Sequence, residues 1–84
     1  MNLKQKDELF TQFAKGLVLV ASAPNETKKI EAMEIVQDLS YSIAMEDIKI
    51  IKDYLIKRSY KDNAPKQVRD NLKKLFPTNS GSIL

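Results

Sequence analysis

Eighty-four residues with neither cysteine nor histidine leave room for one small domain. They exclude disulfides, thiolate chemistry, and the commonest general base and metal ligand. The net charge of +3 is lopsided: residues 1–42 hold five Lys against six acids (−1), and residues 43–84 hold nine basic residues against five acids (+4).

From Leu3 to Ala23 the apolar residues Leu9, Phe10, Phe13, Ala14, Leu17, Val18, Val20 and Ala21 recur at steps of three and four, which predicts an amphipathic helix over 4–22. Asp7 and Glu8 are placed near its start, where the helix dipole favours acids. Gly16-Leu17-Val18-Leu19-Val20 would also suit a short strand, but no partner strand follows. The dense apolar run at 17–21 is expected to be buried on most sides, in the core or in an interface. It is too short to span a bilayer and follows a mixed-charge segment, so a cytoplasmic chain that does not enter a membrane is expected.

Pro24 cannot continue the first helix, and Asn25 is the natural N-cap of a second over 26–40. Its apolar residues are Ile30, Ala32, Met33, Ile35, Val36 and Leu39. Neither Gly nor Pro separates this segment from the next, so 26–60 could be read as one long helix. Asp38, Ser40, Tyr41 and Ser42, followed by the fresh acidic turn Glu46-Asp47, favour a break near Ser40 to Met45.

The segment over 44–60 is expected to be the central helix on which the others pack. Ile43, Ala44, Ile50, Ile51, Tyr54 and Leu55 share a broad arc opposite Glu46, Lys49, Asp53 and Lys57, which predicts that Tyr54 is buried with its hydroxyl at the rim. Ile48 and Ile56 add apolar surface outside that arc. Together with 17–20, they make a homodimer the expected state. After a turn, Asn63 or Ala64 is expected to cap a last helix over 65–76, with Pro65 in its first turn and Val68, Leu72 and Leu75 on its inner face. Pro77 ends it. The expected organisation is an all-α bundle of three to four helices over residues 1–76, with a flexible tail at 77–84.

Two surfaces stand out. Tyr41 and Tyr60 flank the central helix off its main apolar face. With Arg58 and Lys61 they form the expected partner-binding set, since aromatic and Arg anchors dominate interfaces. Lys57, Arg58, Lys61, Lys66, Arg69, Lys73 and Lys74, offset by Asp62 and Asp70, form a basic cluster across the last turn. The alternative it offers is a helix-turn-helix-like regulator that contacts nucleic acid through Lys66, Gln67, Arg69, Asn71, Lys73 and Lys74. The turn has no glycine, and Asp70 would face phosphates, which weakens that alternative. Glu26, Glu31, Glu34 and Asp38 read as an exposed acidic face and not as a metal site.

The sequence therefore predicts a non-enzymatic protein-binding regulator or adaptor without cofactor, whose partner is another protein. Its size and layout suit the small inhibitors, immunity proteins and adaptors of bacteria and their phages, an analogy of class that no motif supports.

Overall fold

A computed structural model describes residues 3–75 of the chain. It has four helices: α1 (Leu3–Ala21), α2 (Glu26–Ser40), α3 (Met45–Lys61) and α4 (Lys66–Lys74). The all-α bundle and the separation of the two middle helices are as expected. Phe76 and the tail at 77–84 lie outside the described residues.

Local chemistry sets the boundaries. Asn25 adopts extended backbone angles, and its side chain accepts the Lys28 N–H at 2.9 Å, so one orphan amide of α2 is satisfied. α2 stops at Ser40, whose Oγ donates to the Gln37 carbonyl at 2.6 Å. The serines nearby do not cap the next helix. That position falls to Ala44, which has no side chain with which to cap. α3 carries Glu46 and Asp47 in its first turn and Arg58 and Lys61 in its last, in the sense that the helix dipole favours. α1 begins at Leu3, so Asp7 and Glu8 fall beyond its first turn and do not contribute to its start as expected.

The turn after α3 differs from the expectation. Asn63 has φ 56°, and its N–H bonds to the Tyr60 carbonyl at 3.2 Å while the Ala64 N–H reaches the Ser59 carbonyl at 2.9 Å. This pair of bonds is a Schellman closure of α3. Asn63 therefore ends one helix and does not begin the next. Asparagine tolerates the left-handed conformation better than other non-glycine residues. Pro65 then takes the N-cap position of α4.

The hub of the bundle is α1 and not α3. α1 packs against all three other helices, α3 and α4 pack on each other, and α2 packs chiefly on α1. Phe13, Leu17, Val20 and Ala21 of α1 meet Ala32 and Val36 of α2, Ile43, Ile48 of α3, and Leu72 and Leu75. Gly16 lets α2 approach closely, since a Cβ there would lie 2.5 Å from Val36 Cγ2. The glycine that suggested a strand is thus the crossing point of two helices.

α3 is rotated from its expected orientation. Its buried residues are Ile48, Lys52 and Ser59, with Ile51, Leu55 and Ile56 partly buried against the core. Ile50 is 65% exposed and Tyr54 58% exposed. Ile48 and Ile56, expected to add surface outside the core face, belong to it, whereas Ile50 and Tyr54 do not. The cause is geometric: α3 packs on both α1 and α4, so the side it buries is set by where those two helices lie. Ser59 sits in that interface without an unsatisfied hydroxyl because its Oγ donates to the Ile56 carbonyl at 2.6 Å.

Candidate docking surface

α1 and α3 run in the same direction. Lys6, Leu9 and Phe10 lie beside Ile43, Ala44 and Asp47. One step on, Phe10 and Ala14 face Ile50, Ile51 and Tyr54. Further along, Val18 and Leu19 lie beside Tyr54 and Leu55. The two helices leave an open apolar groove of about 560 Å³, bordered by Ala14, Val18, Leu19, Tyr54 and Leu55 with Thr11 and Lys15 at its edge. It continues into a hollow of about 300 Å³ under Phe10, Ile50 and Ile51. Across the ridge formed by Leu19 lies a second apolar depression of about 340 Å³, with Pro24, Ala32 and Ile35.

The run at 17–21, expected to be buried on most sides, is thus split. Leu17, Val20 and Ala21 are core, while Val18 and Leu19 are 40% and 60% exposed. None of the groove residues belongs to the binding set expected from sequence. The available signal was that Ile48, Ile50, Ile51, Tyr54, Leu55 and Ile56 spread round more of α3 than one face can bury, so one of its two apolar arcs had to stay outside.

The residues singled out from sequence fall at two ends of the bundle. Tyr41 is 78% exposed in the α2–α3 turn. Tyr60, Arg58 and Lys61 stand at the far end of α3, a helix of 17 residues and so about 25 Å long. The structure therefore does not bring Tyr41 together with the other three. Arg58 is engaged within its own helix, with its Nε donating to Asp62 Oδ2 at 3.0 Å and its Nη1 to the Tyr54 hydroxyl at 3.4 Å.

The basic cluster is partly organised by Tyr60. Lys73 Nζ donates to the Tyr60 hydroxyl at 2.7 Å, and the Arg69 guanidinium stacks 4.5 Å from the ring centre. The Lys73 hydrogen bond and charge pull the Tyr60 phenol below its usual pKa. Lys66 lies 4.0 Å from Asp70, and Gln67 and Lys74 are exposed. Asn71, expected on the outer surface, instead turns inward, and its Nδ2 donates to the Ala21 carbonyl at 3.0 Å. The reason is an unsatisfied carbonyl at the end of α1, which this amide caps.

Among the described residues no group of three or more acids converges as a metal cage would require, and Glu31 is paired with Lys28 at 3.5 Å. No helix among the described residues is long and apolar enough to cross a membrane. No known protein family, curated protein or solved structure matches this chain.

Proposed function

We propose that this chain is a non-enzymatic protein-binding module of the regulator or adaptor kind, with the groove between α1 and α3 as its docking surface. The observation that carries this reading is the grouping of Val18, Leu19, Ile50 and Tyr54, all exposed, around one apolar groove. Contiguous exposed apolar surface on a small domain marks interaction sites, and a channel between two parallel helices suits an amphipathic helix laid along it.

The test is a paired capture from the cells that make the chain, with nuclease present, using the tagged wild type and Tyr54→Glu. A stoichiometric protein held by the wild type and lost from the variant supports the reading. Equal retention by both overturns the groove as the docking surface.

A small nucleic-acid-binding regulator is the second reading, favoured by Arg69 and Lys73 gathered on Tyr60 at the end of the bundle where Arg58 and Lys61 occupy the last turn of α3. Its signature is affinity for duplex DNA that falls linearly on a logarithmic salt scale, together with loss of binding in the Lys66→Glu/Arg69→Glu/Lys73→Glu variant. Binding that is unchanged in that variant sinks it.

A further inference from the structure

We infer that the helix received by this groove is α3 of a second copy of the chain, laid antiparallel about a two-fold axis that passes the exposed side of α3 between Ile50 and Tyr54. The inference rests on the reading of the groove as a docking surface and supplies its occupant.

One side of α3 carries Asp47, Ile50, Tyr54, Lys57 and Lys61 at steps of three and four; Asp47 is half-buried and the other four are exposed. From start to end the strip reads acid, apolar, apolar, base, base. Glu46 stands beside Asp47 at the acidic end, where Lys6 of α1 lines the same hollow as Asp47. Ile50 and Tyr54 occupy the middle and are more than half exposed.

Turned end for end, the stretch from Asp47 to Lys57 complements itself. With the axis between Ile50 and Tyr54, Ile50 of one copy meets Tyr54 of the other, and Asp47 meets Lys57, while Lys61 lies beyond the paired stretch. The same contacts recur on the other side of the axis, so the interface closes on itself and leaves no open edge for further addition. A parallel pairing would set Asp47 on Asp47 and Lys57 on Lys57, which like-charge repulsion disfavours. Arg58 is not needed for the pairing, being held by Asp62.

The test is sedimentation equilibrium of the full chain at low salt. The wild type, Asp47→Lys, Lys57→Asp and an equimolar mixture of the two variants are compared, with circular dichroism confirming the helical content of each. The expected result is a concentration-dependent dimer for the wild type. Each single variant, with two attractive contacts made repulsive, should associate about tenfold or more weakly. The mixture should recover, because a dimer of one variant with the other again sets a base against an acid at both charged contacts.

A wild type that stays monomeric up to about 1 mM, a dimer indifferent to both reversals, or a mixture that fails to recover overturns the inference. Tyr54→Glu, an exposed change that does not threaten the core, separates the two levels. A monomeric wild type that still loses its captured protein on Tyr54→Glu leaves the groove as a docking surface and removes only the second copy as its occupant. A chain whose self-association and capture both ignore Tyr54→Glu loses both readings.

Discussion

Tyr60 sits where two helices meet and carries Lys73 on its hydroxyl and Arg69 on its face. Its phenol is held below the usual value of 10 first by the Lys73 hydrogen bond and then by the Lys73 charge. A depressed acid favours folding only above its unfolded pKa, and that contribution is lost as pH falls through the folded value. At neutral pH the contact is therefore an ordinary hydrogen bond. An ultraviolet phenolate titration is expected to show an early component that moves to higher pH in Lys73→Met. A titration curve that Lys73→Met leaves unchanged would contradict this contact. The sequence showed Tyr60 and Lys73 as separate exposed residues thirteen apart. Their pairing depends on how α4 folds back on α3, which periodicity does not encode.

Between elements, Gly16 of α1 lies close against Val36 of α2. Val36 is fully buried and β-branched, so it has little rotamer freedom with which to retreat. Gly16→Ala gains about 1 kcal/mol of helix propensity but overpacks a tight crossing, which costs about 1–3 kcal/mol. A net destabilisation near 1 kcal/mol is expected, seen as a fall in Tm of about 4–8 °C. Combining it with Val36→Ala should recover part of the loss, because the added methyl then enters the space that Val36 vacates; thermal melts of the four variants in a cycle measure this coupling. Element boundaries were legible wherever one residue type dictates backbone geometry, as at Pro24 and Asn25. They were misread where a residue suits two roles, as Asn63 does. The rotation of α3 was not legible, because its apolar residues form two arcs and only the positions of α1 and α4 decide which is buried.

Across the whole molecule the core is small, and Lys52, 8% exposed, is among its buried residues. Burial lowers its pKa from 10.5, with the nearby Asp53 charge acting in the opposite direction. The folded state thus disfavours the charged form, and between the lowered value and 10.5 the unfolded chain binds more protons. Stability from this group therefore rises with pH across that window and is lowest below it. Lys52→Met keeps the aliphatic stem and removes the titrating group, so the rise of stability with pH across that window should disappear in the variant. Denaturant titrations of both chains at neutral pH and near 10.5 would check this, and an unchanged pH dependence would contradict it. The helical bundle was readable from apolar spacing, but its division into four helices rested on Pro24, on the polar cluster at Asp38 to Ser42 and on Pro65. The groove was readable only as an excess of apolar residues, since which of them remain outside is a property of the assembled helices.

The bond from Asn71 to the Ala21 carbonyl spans fifty residues of chain, whereas the α1–α2 hairpin is joined by a few. Closing the longer loop carries more chain entropy, and α4 leaves the ribosome after everything it packs on. During synthesis the N-terminal hairpin can therefore form early, while the ends of α1 and α3 stay bare until Leu72 and Leu75 arrive. The last helix acts as the latch of the bundle, and the interval before it closes is when a nascent chain is most open to misassembly or to a chaperone.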